Sequence, residues 1–210
     1  MEAWFNSDLI DSYLNMALWS STISLESNVF FVFDCFFYQR LPQPANFVFN
    51  SNILNGHSLG KSKFENSKKI IMPINVNNRH WIALMIDRSN FEISIFDSIN
   101  PHQSVSDYHN TVIEKNIRSF LNCTIPGPQF EPSNYKFIYV DVTQQTDDSS
   151  CGPFTILNIL DQLNLIQFEI QNTEGFFRDL KLIMFNEFIN NDDYNSDNTY
   201  QSGFILSMLE

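Results

Sequence analysis

Cys151 lies where a polar loop meets an apolar, helix-like segment. The loop TQQTDDSS precedes it, and the segment CGPFTILNILDQLNL begins with it. A thiol at the start of a helix faces unpaired backbone N–H groups and the positive end of the helix dipole, and both favour the thiolate. Gly152 would leave room for a substrate backbone beside the sulfur, and Pro153 is compatible with the first helical turn. Cys151 is therefore a candidate nucleophile, with a small buried helix residue as the alternative.

His80 is the candidate for the general base that such a nucleophile requires. It begins a predicted strand directly after the turn-like NNR, whereas the other histidines lie in predicted loops or on a polar helix. Asp97 ends the next predicted strand, and an antiparallel hairpin would bring both residues to one edge of the sheet. A carboxylate there would fix the imidazole tautomer and stabilise the imidazolium. An ordinary turn residue is the alternative for Asp97.

Gln145 is the fourth candidate, in the polar loop before Cys151. Its side-chain amide could donate a hydrogen bond to the oxyanion of an acyl-transfer intermediate, with the backbone N–H of Cys151 as the second donor. Gln144 is the competing assignment, and either glutamine could serve only to cap the loop. A thiol, a base, an orienting carboxylate and an oxyanion donor together indicate catalysis through a thioester.

These residues must be positioned by a sheet and its flanking helices. Three short runs, rich in β-branched and aromatic residues and separated by NNR and RSN, predict a meander of strands: KIIMPINV (69–76), HWIALMID (80–87) and FEISIFDS (91–98). Two further β-like runs are NVFFVF (28–33) and YKFIYVDV (135–142). The stretch 42–67, rich in Asn, Ser, Gly and Pro, predicts a loop that is a candidate for substrate specificity.

Apolar residues at helical spacing predict the helices. The first begins near Ser7, with Asn6 or Ser7 as its N-cap, and residues 36–41 could form a short one. Others follow Pro101 and begin at Cys151, and GFFRDLKLIMFNEFI (175–189) predicts the last. Helices on both sides of a mixed sheet indicate a single α+β domain over residues 1–210, with a polar tail within about 190–202.

The amino-acid composition limits the classes of molecule that this protein is expected to bind. The 210 residues include 24 Asp and Glu against 12 Lys and Arg, a net charge of −12, which argues against binding to nucleic acid or to an anionic membrane surface. No run predicts a membrane span. The three cysteines, Cys35, Cys123 and Cys151, form no CxxC pair, so neither a disulfide framework nor a structural zinc site is expected. We expect free thiols in a reducing compartment, no cofactor and a monomer.

Four features occur along the chain in the order in which one protease family has them: His80-Trp81, Asp97-Ser98, Gln145 and Ser150-Cys151-Gly152. This set resembles the clan CE cysteine proteases, the ubiquitin-like protease or sentrin-specific protease family that removes SUMO and related modifiers. WFNSDLIDSYLN resembles that family's Trp-Leu-Asn-Asp helix start, so the resemblance covers most of the chain. It implies a papain-like fold, and it implies that Trp4 and Trp81 close over the Gly-Gly tail of the modifier. Core packing is the alternative for both tryptophans.

Two positions depart from the pattern of that family. Its usual Asp-Cys-Gly is Ser150-Cys151-Gly152 here, and the second Asp of its first motif is Ser7. Neither residue carries the proton chemistry, so we expect activity to survive and the local anchoring to differ. The loop QTDDSSCGPF is most similar to the bacterial effector branch of the clan, which often acts on ubiquitin. A secreted effector would work in a host cytosol; otherwise a cytoplasmic or nuclear protein is expected.

The resemblance implies an isopeptidase that cleaves after the C-terminal Gly-Gly of ubiquitin, SUMO or the neddylation modifier. A ubiquitin-type tail, Leu-Arg-Leu-Arg-Gly-Gly, is basic and would be attracted to an acidic protein, which favours a deubiquitinase. One alternative is the acetyltransferase branch, which uses the same triad but typically has Glu at the position of Asp97 and needs a basic pocket for an inositol phosphate. Another is an inactive modifier-binding domain, which is disfavoured because all four catalytic positions are filled.

Overall fold

The computed structural model describes residues 5–20, 30–41, 64–99, 107–124 and 132–164. Within them, five strands form one sheet whose spatial order is the chain order: β1 Phe30–Val32, β2 Lys69–Val76, β3 His80–Asp87, β4 Glu92–Phe96 and β5 Lys136–Val140. β2, β3 and β4 form an antiparallel meander, while β1 and β5 pair in parallel with its two outer strands. The predicted meander and the mixed sheet are confirmed.

The helices also follow the predicted pattern: α1 Ser7–Ser20, α2 Phe37–Arg40, α3 Asp107–Thr124 and α4 Cys151–Gln162. Asn6 caps α1, since its Oδ1 accepts a hydrogen bond from Leu9 N at 2.9 Å. The predicted helix at 175–189, the polar tail and residues 42–63 of the predicted loop lie outside the described residues. Among the helices of the described ranges, none combines the length and apolar character that crossing a membrane requires.

Two hydrophobic cores lie on the two faces of the sheet, because side chains alternate between faces along a strand. The alternation is clear in β3, which contributes Trp81, Ala83 and Met85 to one core and Ile82, Leu84 and Ile86 to the other. The first core also contains residues of α1 and α4, and the second contains residues of α2 and α3. Helices therefore cover both faces, and α4 packs against the strand that begins at His80.

A tight turn directly precedes His80, the first residue of β3. Asn77 and Asn78 have left-handed backbone conformations, with φ of 55° and 56°, and Arg79 N donates a hydrogen bond to Val76 O at 3.1 Å. Two consecutive left-handed residues are typical of the type I′ turn, whose twist matches that of a hairpin, and asparagine adopts this conformation more readily than most residues. The NNR separator is thus the local reason why β3 begins at His80.

Candidate active site

His80 and Asp97 meet at one edge of the sheet, at the start of β3 and directly after β4. His80 Nε2 lies 2.7 Å from Asp97 Oδ1. The antiparallel register, in which Ala83 pairs with Phe96, brings these two strand ends together. Asp97 is 5% exposed, and the same carboxylate oxygen accepts a hydrogen bond from Ile99 N at 2.9 Å. The carboxylate is therefore held in a defined orientation toward the imidazole.

Cys151 also interacts with the His80 imidazole. Burial alone would lower the pKa of His80, but the hydrogen bond to Asp97 and the nearby Cys151 sulfur, together with the attraction of their negative charges, raise it to about 9. Nε2 is bound to Asp97, and Nδ1 is buried and has no hydrogen-bond partner among the described residues, so Nδ1 is the ring nitrogen available to the thiol. The structure thus brings together the three side chains predicted as nucleophile, base and orienting acid.

α4 begins at Cys151, and Phe154 N donates to Ser150 O at 3.0 Å in its first turn. Cys151 is 1% exposed and lies in the core that contains Phe5 and Trp81. The first backbone N–H groups of a helix have no acceptor within the helix, so they are available to a substrate oxygen. In the structure, as predicted, the thiol lies at the start of a helix.

Asp147 organises the turn that leads into α4. Its Oδ1 accepts hydrogen bonds from Ser149 N and Ser150 N, both at 2.7 Å, and its Oδ2 accepts one from the Ser150 hydroxyl. The protease family that the sequence resembles has an aspartate at the position of Ser150. Here Asp147 supplies a carboxylate to the same turn. Sequence reasoning missed this residue. The signal is the pattern Asp-x-Ser-Ser, because an Asp side chain commonly binds backbone N–H groups two and three residues later.

Gln145 is held at both ends of its side-chain amide. Its Oε1 accepts a hydrogen bond from the Ser98 hydroxyl at 2.7 Å, and its Nε2 donates to Asp147 O. In addition, Gln145 N donates to Ser98 O at 2.8 Å. The loop before α4 is therefore tied to the residue that follows Asp97, a contact that the sequence did not reveal.

Gln144, the competing glutamine, binds the backbone instead. Its Nε2 donates to Asp97 O at 3.1 Å and to Val142 O at 2.8 Å. Its Oε1 is buried and has no hydrogen-bond partner in the part of the chain that the structure describes. Gln144 thus anchors the backbone at Asp97, whereas Gln145 binds Ser98.

Trp81 is buried and hydrogen-bonded, whereas Trp4 lies outside the described residues. Trp81 is 3% exposed, and its indole N–H donates to Phe5 O at 2.9 Å. Because Phe5 directly follows Trp4 in the chain, this bond anchors the backbone beside Trp4. The contact agrees with the core-packing alternative for Trp81. Closure of the two tryptophans over a Gly-Gly tail stays a prediction.

Gly152 is packed against the start of α1. A Cβ at this position would lie 2.5 Å from Phe5 Cβ and 3.6 Å from Ile10 Cδ1. Phe5 therefore fills the space that a side chain at this position would need. A glycine here permits the close approach of α1 and α4. A contact of Gly152 with a substrate backbone stays a prediction.

Cys35 is the other thiol whose surroundings are described, and it is buried. Its backbone N–H donates to Asp11 Oδ1 at 3.0 Å. Burial, with the neighbouring Asp11 carboxylate, raises the pKa of the Cys35 thiol far above its usual range, which disfavours a nucleophilic role. Within the described ranges, no three His, Cys, Asp or Glu side chains are grouped as a metal site would require.

Comparisons with known protein sequences bear on this geometry. A model of the Ulp1 protease family, C-terminal catalytic domain, matches residues 3–198. Over 158 residues the chain is 25% identical to ubiquitin-like-specific protease 1 of Saccharomyces cerevisiae. That match covers 75% of this chain and 23% of the yeast protein, so the chain spans about a quarter of that relative's length.

Solved structures share the fold. The C-terminal Ulp1 protease domain in complex with Smt3, the yeast ortholog of SUMO, has a TM-score of 0.55 at 19% identity, over 78% of this chain and 67% of that one. The Xanthomonas campestris effector XopD bound to ubiquitin has a TM-score of 0.51 at 15% identity, over 85% of this chain and 90% of that one. These likenesses establish the fold.

Proposed function

This chain belongs to the Ulp1 protease family, and we propose that it hydrolyses the bond after the C-terminal Gly-Gly of ubiquitin or a ubiquitin-like modifier, with ubiquitin preferred. As a member it is a cysteine protease, which favours proteolysis over the acetyltransferase and over an inactive binding domain. The observation that carries the proposal is the interaction of one partly buried imidazole, His80, with both Asp97 and Cys151. That arrangement can activate a thiol for attack on an acyl carbon.

The first half-reaction acylates Cys151. The thiol proton already lies on His80 Nδ1 at neutral pH, because the pKa of His80 is raised to about 9, and the Cys151 sulfur attacks the carbonyl carbon of the terminal glycine. When the tetrahedral intermediate collapses, the C–N bond breaks, and His80 gives the proton to the leaving amine. Asp97, bound to Nε2, orients the ring and stabilises the imidazolium.

The second half-reaction hydrolyses the thioester. A water molecule attacks the same carbonyl carbon and gives a proton to His80 Nδ1; the C–S bond then breaks, and the sulfur leaves as the thiolate beside the protonated imidazole. The modifier leaves with a free carboxylate. In both half-reactions, the backbone N–H of Cys151 and the side-chain amide of Gln145 donate hydrogen bonds to the oxyanion.

The charge of the loop before α4 supports a basic substrate tail. Residues 141–150 include three aspartates and neither lysine nor arginine, and Asp141 and Asp148 are exposed. The two arginines of a Leu-Arg-Leu-Arg-Gly-Gly tail would be attracted to these carboxylates. The ubiquitin-bound effector of the same fold is consistent with this preference.

A SUMO-type modifier is the second candidate. It is favoured by the yeast domain of the same fold that is bound to Smt3. SUMO tails lack the two arginines, so the acidic loop would give them no comparable attraction. The choice between the modifiers is therefore a question of relative rate.

The test compares three fluorogenic substrates at equal concentration: ubiquitin, SUMO and the neddylation modifier, each with an amide-linked fluorophore after the terminal glycine. We expect the fastest cleavage with ubiquitin, and no cleavage by Cys151→Ala. Cys35→Ala, the matched control, should retain turnover because Cys35 lies outside the site. Turnover by Cys151→Ala would contradict the proposed mechanism, and faster cleavage of SUMO would select the second candidate.

A further inference from the structure

We propose that Ser98 is a positioning residue for the oxyanion hole, holding the Gln145 amide so that one N–H remains available to the substrate. This inference rests on the proposed function, since it concerns the oxyanion of the same acyl transfer. Ser98 is 2% exposed, and the bonds that the structure gives its hydroxyl and its carbonyl oxygen both go to Gln145.

The topology of the sheet brings these two residues together. β4 and β5 are parallel neighbours, with Phe96 paired to Val140, so their carboxyl ends lie at the same edge of the sheet. Ser98 follows β4, and Gln145 lies in the loop that follows β5. The segment that carries Asp97 and the loop that carries the oxyanion donor therefore run side by side.

Hydrogen-bond polarity fixes which end of the Gln145 amide faces Ser98. A backbone carbonyl can accept but cannot donate, so the atom that bonds Asp147 O must be Nε2. The opposite end of the amide is then Oε1, an acceptor, and the Ser98 hydroxyl is the donor it meets at 2.7 Å. The Asp147 carbonyl oxygen therefore excludes the flipped amide, and the Ser98 hydroxyl, which can donate or accept, donates to the oxygen that faces it.

The count of amide hydrogens distinguishes the two glutamines. A side-chain amide has two N–H donors. Gln144 uses two, on the carbonyl oxygens of Asp97 and Val142. Gln145 donates to Asp147 O, and its second N–H has no acceptor among the described residues. Gln145 can therefore bind an oxyanion without breaking an existing bond, which Gln144 cannot do.

The Ser98 hydroxyl should affect the stabilisation of the oxyanion and not the reactivity of the Cys151 thiol or the His80 base, because it is bonded to neither residue. Removing this hydroxyl should lower kcat for a fluorogenic Gly-Gly substrate by about 10-fold, with little change in KM. A poorly positioned Gln145 amide would stabilise the oxyanion of the transition state less well, while the binding of the substrate would be nearly unaffected. Alkylation of Cys151 by iodoacetamide forms no oxyanion. The rate of alkylation and its pH dependence should therefore be unchanged in Ser98→Ala.

The test uses a matched pair and a double-mutant cycle on the whole chain. Ser98→Thr and Ser98→Val have the same shape, but Thr alone keeps the hydroxyl, so we expect a higher kcat for Thr than for Val even if both pack less well than serine. Ser98→Ala should have no further effect in a Gln145→Ala background, because the residue that it positions is gone.

Three results would overturn the inference: an unchanged kcat in Ser98→Ala, equal kcat values for the Thr and Val variants, or slower alkylation in step with slower turnover. Additive losses in the double variant would also count against it, because they would show that Ser98 acts independently of Gln145. If the wild-type chain cleaves none of the three modifiers while iodoacetamide still alkylates Cys151, the proposed function itself fails, and the inference falls with it.

Discussion

Phe5 fills the space beside Gly152 that a larger residue would need, with its Cβ 2.5 Å from where a Cβ of residue 152 would lie. The residue before α1 is thereby packed against the first turn of the helix that begins with Cys151. Trp81, next to His80, holds the same residue through a hydrogen bond to Phe5 O. The N-terminal segment is thus part of the structure that supports the nucleophile.

Gly152→Ala should destabilise the protein by about 1–3 kcal/mol, because the added methyl group overlaps with Phe5. Helix propensity alone predicts the opposite sign, since alanine is more favourable than glycine in a helix by about 1 kcal/mol. Urea unfolding monitored by circular dichroism measures the change in the free energy of unfolding and so decides between the two expectations. Lys115→Ala, at an exposed position of α3, is a control that should change stability by no more than about 0.5 kcal/mol. A stabilised Gly152→Ala variant would show that the contact is absent.

Asp97→Asn should lower kcat by at least about 10²-fold, because an amide can present its N–H to Nε2 and so favour the wrong imidazole tautomer. The measurement is turnover of the modifier substrate that the wild-type chain cleaves fastest. Glu92→Gln removes the same charge at the other end of β4, about 16 Å along the strand, and should leave kcat near the wild-type value. Equal losses in the two variants would mean that overall charge, and not the contact with His80, is responsible.

Protonated His80 should stabilise the folded state. Its pKa is raised from the ordinary 6.5 to about 9 in the folded protein, so the stabilisation is complete below about pH 6.5 and is lost as the pH rises through about 9. The free energy of unfolding of the wild type should therefore fall more over this window than that of His80→Gln. In an NMR titration, the midpoint for His80 should be near pH 9 and lower in Asp97→Asn. A wild-type midpoint near 6.5 would contradict the interaction.

Asp147→Ala should cost about 1–2 kcal/mol of stability and should also lower kcat, because two backbone N–H groups and a hydroxyl lose their acceptor in the turn before Cys151. Asp147→Asn keeps one carbonyl oxygen for the backbone groups and should have an intermediate effect. The neighbouring exposed Asp148 is the matched control for stability, which Asp148→Ala should leave nearly unchanged. The same loss in both variants would rule out a specific role for Asp147.

Asp148→Asn should raise KM for the ubiquitin substrate a few-fold and leave KM for SUMO unchanged, since only the ubiquitin-type tail carries arginines. The difference should shrink at high salt, which screens exposed charges. Steady-state kinetics with both substrates at two ionic strengths measure this directly. If Glu92→Gln changes selectivity to the same degree, the preference comes from the net charge of the protein and not from the loop.

Local patterns in the sequence determined the elements that carry the site. The NNR turn, with its two left-handed asparagines, begins β3 at His80, and the meander is short enough that Asp97 returns to the same edge of the sheet. The change from a polar loop to an apolar run likewise predicted that a helix begins at Cys151. Each of these features depends on residues close together in the chain, and that is why they could be read before the fold was known.

Tertiary structure decided the contacts between distant segments. Three such contacts join residues dozens of positions apart: the packing of Phe5 against Gly152, the hydrogen bond from Ser98 to Gln145 and the hydrogen bond from Trp81 to Phe5. The periodicity of the sequence does not record such pairs. The parallel pairing of β4 with β5 is what sets Ser98 beside Gln145 and leaves Gln145, rather than Gln144, with an amide hydrogen to donate. The physical reason is that propensity and amphipathic spacing act within one element, whereas packing and hydrogen-bond partners are chosen only when elements meet.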